Sequence, residues 1–488
     1  MTISFNTIPS ALRVPLAYVE FDNSRAVVGT PAIPFKLLVM GQKLSTGIAT
    51  ENVPIQITSY DQAELQFGRG SMLAEMFRTL KANDKFTPTW ALPQVDNAAG
   101  VAATGTITFA GTPTEAGVVY LYVAGTRLTV SVASGDTVTT IAAAVAAAIN
   151  ADTSLPVTAS AALGVVTCTA RNKGECGNGI DRRLNYYTGE RLPAGLTCTI
   201  VAMASGATNP VLTNAIAAMG DEWYQGVICP YTDAANMSML EAEMLDRTSG
   251  TRMIDGIVFT AFRGNYAATQ TFGDGRNSPH VTAIGTNTAP QPPYIWAAAY
   301  AAQAAASLSI DPARPLQTLV MSGIMPPALT AQWTQAERNL LLYDGIATHY
   351  VDSGGLVRIE REVTMYQENA FGVADPSYLD ITTLATLSYM RYSVRARITQ
   401  KFPRHKLADD GTNFGPGQAI VTPKTIRAEL IALAMEWVIA GLLENIDQFK
   451  AELIVERNAN DRNRVDVLAP PDLVNQLRIL ATKLRYIL

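Results

Sequence analysis

The stretch 226–307 decides the fold: GVIC (226–229), AANMSMLEAEML (234–245), GIVFTAF (256–262), HVTAIG (280–285) and YIWAAAYAAQAAAS (294–307) follow one another along it. Short Val- and Ile-rich runs alternate with longer segments whose apolar residues recur at helical spacing. Apolar runs of about four to eight residues without strict alternation fit strands buried on both faces. Strands each followed by a helix need crossover connections, which give a largely parallel sheet covered by helices. The pattern predicts strands at Gly226–Cys229, Gly256–Phe262 and His280–Gly285, helices at Ala234–Leu245 and Tyr294–Ser307, and a short helix after Phe262.

Upstream, strands are expected at Phe35–Met40 and Pro54–Thr58, and a helix at Ser71–Lys81. Ser71 can cap that helix, and Met72, Leu73, Met76, Phe77 and Leu80 line one face of it. Downstream, Thr422 can cap a helix running from Pro423 to about Leu443, since Pro suits the first helical turn. Strands are expected at Ala451–Glu456 and Val465–Leu468.

Residues 98–206 have a different texture. Thr, Val, Ala and Gly dominate, strands at Gly105–Ala110, Val118–Val123 and Arg127–Val132 alternate with Gly-containing turns, and an Ala-rich helix is expected at Asp136–Asn150. Six basic and six acidic residues leave this block neutral. A loop of such length inside a compact domain is improbable, so the block reads as an inserted domain.

Both termini are unusual. Pro9 and Pro15 forbid a helix in residues 1–19 and restrict any strand there to an edge, so this segment reads as an extended arm. The closing run LRILATKLRYIL (477–488) is apolar where chain ends are normally polar. Leu480, Leu484, Tyr486 and Leu488 share one face of a strand, while Leu473, Leu477, Leu480 and Leu484 fit a helix; periodicity leaves both open. Either the chain's own domain or a neighbouring molecule must hold such an end.

The 488 residues are 48% hydrophobic and only 16% charged, enough for several domains and a large core. Thirty-seven Lys and Arg against 42 Asp and Glu give a net charge of −5, which offers no general attraction to nucleic acid or anionic lipid. The N-terminus lacks the basic start and apolar run of a signal peptide, so export by that route is not expected. Neither Leu430–Leu443 nor Tyr294–Ile310 amounts to the roughly 18 strongly apolar residues of a membrane span. Cys168, Cys176, Cys198 and Cys229 lack C-x-x-C spacing, and His280, His349 and His405 lie far apart, so reduced thiols and no metal are expected.

Catalytic motifs are weak. Gly273-Asp274-Gly275-Arg276-Asn277-Ser278 has only two glycines of the dinucleotide fingerprint and no Val/Ile strand before it. No G-x-S-x-G elbow occurs, and Cys229 before Pro230 fits a packed thiol. His280 or Asp255 could serve as acid or base in an α/β enzyme, although no partner constellation can be named. Basic residues gather at Arg391, Arg395, Arg397, Lys401, Arg404 and Lys406 and again at Arg457, Arg462 and Arg464. From Arg391 onward, 15 basic residues face 11 acidic ones. This fits either a solvated face paired with acids such as Asp409 and Asp410 or contact with an acidic partner.

Longer strings then carry a resemblance. IPSALRVPLAYVEFDNSRA (8–26), GRNSPHVTAIG (275–285), PPYIWAAAYAAQAAASLSIDPARPLQTL (292–319), KFPRHKLADDG (401–411), ELIVERN (452–458) and PPDLVNQLRI (470–479) together resemble the contractile tail sheath proteins of Mu-like bacteriophages, the myovirus-type tail sheath family. LPAGLTCTI (192–200) within the insertion belongs to the same resemblance.

The resemblance implies a structural protein without cofactors that stacks as hexameric rings around a tail tube and contracts to drive the tube through the host envelope. The implied partners are further copies of the chain, the tail tube protein, and baseplate and tail terminator proteins, with no direct nucleic acid and no membrane span. Assembly in the host cytoplasm and residence in the virion tail follow. The expected fold is a multidomain α+β/α/β one: a mixed-sheet core with helices on its faces, a β-rich insertion, and arms that add strands to neighbouring subunits.

The implied layout is an N-terminal arm (1–19), core (20–97), peripheral insertion (98–206), core again (207–370), a tube-facing C-terminal domain (371–476) and a linking arm (477–488). The N-terminal arm would use Ile3, Phe5, Ile8, Leu12, Val14, Leu16 and Tyr18. The C-terminal arm would use Leu480, Leu484, Tyr486 and Leu488, and Arg457, Arg462 and Arg464 would touch the tube. Another tail or baseplate component is the alternative structural reading, and an α/β enzyme the catalytic one.

Overall fold

The computed structural model describes residues 14, 15, 17–20, 35–412, 414, 415 and 417–487. Ile3, Phe5, Ile8, Leu12, Leu16 and Leu488 lie outside the described residues. Two compact units divide the chain: Pro34–Tyr389 with Asn475–Leu488, and Met390–Val474 with Met1–Ile33.

An eight-stranded sheet organises the first unit, in spatial order Val357–Arg361, Ile346–Val351, Val281–Gly285, Ile257–Phe262, Gly226–Ile228, Leu37–Gln42, Thr89–Gln94 and Ile55–Gln56. The six inner strands are parallel, with Val39 opposite Ile228 and Ile228 opposite Phe259. The two outermost strands pair antiparallel. Successive residues of a strand point to opposite faces, and here both faces are covered. Leu37, Val39, Phe259 and Ile284 enter one apolar cluster, while Leu38, Met40, Val258 and Val281 enter the other.

The helix Pro293–Leu308 fills the first face. Twelve of its residues are buried, as expected of a helix that is apolar all round, and its alanines permit close approach to the sheet. Its Tyr300 hydroxyl lies 2.9 Å from Thr282 Oγ1, which donates to the Val363 carbonyl at 2.6 Å. The opposite face is covered partly by the helices Thr213–Met219 and Ala234–Arg247, through Met219, Leu240 and Met244.

Residues 104–204 form two antiparallel sheets, one of four strands and one of three, with the helix Val138–Ala151 sharing their apolar cluster. Strands Gly117–Val123 and Thr126–Val132 are joined by Ala124 and Gly125, both at positive φ, the geometry of a tight hairpin whose twist matches its strands. Polar bonds tie this part to the rest of its unit. Arg263 Nη2 meets Asp181 Oδ1 at 2.8 Å, and Arg183 Nη2 donates to the Thr288 carbonyl at 2.7 Å.

In the second unit, the end of the helix Ile381–Lys401 meets the helix Pro423–Ile439 through Ser393 and Trp437, and Trp437 also packs on Phe449 of the helix Ile446–Glu452. Three two-stranded pairings complete it: Lys406–Leu407 with Ile420–Val421, Leu443–Glu444 with Asp472–Leu473, and Ile454–Arg457 with Val465–Leu468.

Several boundaries differ from the sequence reading. The second upstream strand keeps only Ile55–Gln56. The helix from Pro423 stops at Ile439, because Gly441 adopts positive φ. Ala451 and Glu452 close a helix, and the expected strand begins only at Ile454. Residues 474–487 are neither strand nor helix.

Candidate assembly surfaces

The C-terminal segment leaves the fold through a fixed root. Gln476 Nε2 donates to Thr382 Oγ1 at 2.8 Å and to the Ala313 carbonyl at 3.2 Å. Arg478 Nη1 donates to Glu362 Oε2 at 3.2 Å, and its Nη2 to Asp380 Oδ1 at 3.2 Å. The Glu362 side chain is fully buried. Beyond this root the chain is bare: Leu480, Leu484 and Tyr486 are 82, 87 and 84% exposed, and Ile479 and Ile487 are exposed as well. The three described members of the expected C-terminal arm thus share one uncovered run. Sequence reasoning passed over Arg478; a lone guanidinium between Leu477 and Ile479 was the available signal.

Of the N-terminal arm, Val14 and Tyr18 are exposed, and the Tyr18 hydroxyl donates to the Val14 carbonyl at 3.4 Å.

The second unit offers strand edges. Among the described residues, none of its three pairings has a third strand. An isolated pair of strands is marginal in water, and its free N–H and C=O groups form a template for another chain. On the pair Ile454–Arg457 with Val465–Leu468, the side chains of Ile454, Val467 and Leu468 are exposed.

The arginines proposed to touch a tube lie on or beside this same pair. Arg457 Nη1 and Arg462 Nη2 share the Asp409 carboxylate at 2.9 and 3.2 Å, which holds the Asp409 carboxyl below its usual range. Arg464 pairs with Asp466. Each guanidinium is partly neutralised, yet the Arg462 and Arg464 side chains remain mostly exposed. Of the first basic group, Arg397 pairs with Glu429 and Glu436, and Lys401 with Glu429.

The chemical candidates are structural. Gly273 and Asp274 end the helix Tyr266–Asp274, so the Gly273–Ser278 stretch meets the carbonyl end of a helix, the wrong pole for a phosphate. Gly273 serves close packing, since a Cβ there would lie 2.1 Å from the Asp344 carbonyl oxygen. Burial pushes the Cys229 thiol up to about 12, away from the reactive thiolate. His349 donates from Nδ1 to the Gly285 carbonyl at 3.0 Å, and its ring is packed by Trp296 and Trp333. His280 is buried beside the strand Val281–Gly285, and the Asp255 carbonyl accepts the Trp223 indole N–H at 2.6 Å. Among the described residues, no three His, Cys, Asp or Glu side chains gather as a metal site, and no helix is long and apolar enough to cross a membrane.

Sequence and fold both match known proteins. Residues 98–197 match the family model of the phage tail sheath protein beta-sandwich domain, 205–365 that of the phage tail sheath protein central domain, and 373–486 that of the phage tail sheath C-terminal domain. The chain is 49% identical to the Mu-like prophage FluMu tail sheath protein of Haemophilus influenzae over 488 residues, covering 100% of both. In fold it is similar to the sheath tail protein of Desulfitobacterium hafniense, with a TM-score of 0.50 at 13% identity, over 94% of this chain and 97% of that one. The sheath tail protein of Listeria innocua aligns at a TM-score of 0.49 and 12% identity, over 92% and 94% of the two chains.

Proposed function

The chain belongs to the phage tail sheath family, and on that premise we propose how its parts build and link a contractile sheath. It is a structural tail sheath subunit of the Mu-like type and not an enzyme, which removes the α/β enzyme reading built on His280 or Asp255.

Copies of the chain stack as hexameric rings around a tail tube, between baseplate and tail terminator proteins, after assembly in the host cytoplasm. Residues 20–97 and 207–370 form the core, 98–206 sit at the periphery, and 371–476 face the tube, with Arg457, Arg462 and Arg464 as the contact. Residues 1–19 and 477–488 link neighbouring subunits by adding strands to them. Contraction is a change between two packings of the same bodies, and strands exchanged between subunits let rings stay joined while those bodies move.

One observation carries this reading: the exposed apolar run 479–487 in a chain whose second unit presents unpaired strand edges. A six-residue strand added to such an edge makes about four to six backbone hydrogen bonds, worth roughly 0.5–1.5 kcal/mol each. Each buried Leu or Ile adds about 1.5–3 kcal/mol. Two links per subunit also raise each other's effective concentration.

Electron microscopy of purified protein tests the assembly. Wild type forms hollow stacked cylinders, whereas chains lacking residues 2–18 or 479–488 remain folded but form no long ones. Normal cylinders from both truncations would reject the linking role.

A further inference from the structure

The C-terminal segment is held by a buried ion cluster that no backbone pairing requires. Arg361 binds both oxygens of Asp380 at 3.0 Å, which fixes that carboxylate in place. Arg478 then bridges Asp380 and Glu362, and its Nη1 lies 3.5 Å from Gln317 Oε1. Gln317 in turn donates to the Leu477 carbonyl at 3.3 Å. Two carboxylates and two guanidiniums make the cluster neutral, and without Arg478 it keeps an uncompensated carboxylate in a fully buried position. Breaking a buried pair from one side is strongly unfavourable, whereas Ile479, Leu480, Leu484, Tyr486 and Ile487 beyond it are exposed.

We infer that Arg478 is the positioning residue of the C-terminal link: its pairing with Glu362 and Asp380 pins the segment at residue 478 and so sets how far the link reaches. This rests on the reading of the following residues as a link. As far as Leu488, ten residues then lie beyond the clamp and span at most about 35 Å, whereas release back to the bonds of Gln476 would let twelve residues span about 43 Å. The clamp removes that slack, and a link without slack transmits displacement between bodies.

Trypsin reads the clamp directly, because Arg478, Lys483 and Arg485 are all cleavage sites and only Arg478 is clamped. On full-length, unassembled subunits the rate of cleavage after Arg478 is compared by mass spectrometry with that after Lys483. In wild type the Arg478 site is the slow one. Glu362→Gln keeps the shape and removes the charge; it should raise the ratio about tenfold or more, and Asp380→Asn should raise it less. If Glu362→Gln unfolds its unit, shown by new cleavage at the buried Arg247, the Asp380→Asn ratio decides. A wild-type ratio in the variants that fold overturns the clamp. A raised ratio together with normal cylinders from chains lacking 479–488 leaves the clamp standing and sinks the link.

Discussion

The indole N–H of Trp437 donates to Ser393 Oγ at 2.9 Å, and the Ser393 hydroxyl donates onward to the Met390 carbonyl at 2.8 Å. Both side chains are buried, so this bond joins the helices Ile381–Lys401 and Pro423–Ile439 within the second unit. Ser393→Ala leaves the indole N–H unpaired and should cost about 1–3 kcal/mol, read by denaturant unfolding with hydrogen exchange over Pro423–Ile439. Adding Trp437→Phe should cost less than the two single changes summed. Strict additivity would mean the bond contributes nothing.

Two glycines should respond oppositely to alanine. A Cβ on Gly47 would lie 2.4 Å from the Phe67 carbonyl carbon and 2.5 Å from the Gln66 oxygen, and backbone atoms cannot step aside cheaply. Gly47→Ala should destabilise by about 1–3 kcal/mol or more. Nothing lies within 4 Å of a Cβ on Gly250, so Gly250→Ala should be neutral or stabilise by up to about 1 kcal/mol. Equal midpoints for the two variants in thermal unfolding would contradict this packing.

Acid should act on the first unit through His349. Burial lowers its pKa to about 4 from an ordinary 6.5, so the unfolded chain takes up the proton first. Stability is therefore lost as pH falls from about 6.5 towards 4, by up to roughly 3 kcal/mol from this group. Glu75 works in the opposite sense. Burial outweighs Arg78 and lifts its pKa to about 7, so its contribution is complete below about 4.5 and lost as pH rises through 7. His349→Asn should flatten the acid limb of a stability–pH curve, and Glu75→Gln the limb between 4.5 and 7. An unaltered slope in either variant would discard its assignment.

Charge reversal addresses the tube contact. Arg462 and Arg464 are mostly exposed, and exposed ion pairs are worth about 1 kcal/mol or less, so Arg462→Glu with Arg464→Glu should lower the unassembled subunit's melting temperature only slightly. Co-assembly with the tube protein should fall, and more steeply at low salt. Undiminished co-assembly removes these residues from the contact.

What could be read from the sequence follows from where burial is complete. Leu37, Leu38, Val39 and Met40 face both sides of a covered sheet, and such runs announce themselves without periodicity. Ser71 declared its helix because its hydroxyl does accept from the Ala74 N–H, at 3.1 Å. The helix Ile381–Lys401 stayed hidden: its threonines favour strands, and it satisfies them by turning hydroxyls back on its own carbonyls, Thr386 to Thr382 at 2.8 Å and Thr399 to Arg395 at 2.7 Å. The C-terminal run was legible as apolar residues without a home, but its root was not. Arg478 meets Glu362 across 116 positions of sequence, and no local pattern encodes such a pairing.

The outer strands of the large sheet carry one more consequence. Ile55–Gln56 presents only two residues, and Val357–Arg361 is covered on its far side, with Thr318 N–H reaching the Ile359 carbonyl at 2.8 Å and Ile359 N–H reaching the Leu319 carbonyl at 3.0 Å. An open sheet extends by pairing at its borders, so the border strands decide whether it can grow from one copy into the next. With both borders blunted, the large sheet offers a second copy no free edge long enough to continue its ladder, so any pairing between copies falls to the short pairings of the second unit and not to the main core.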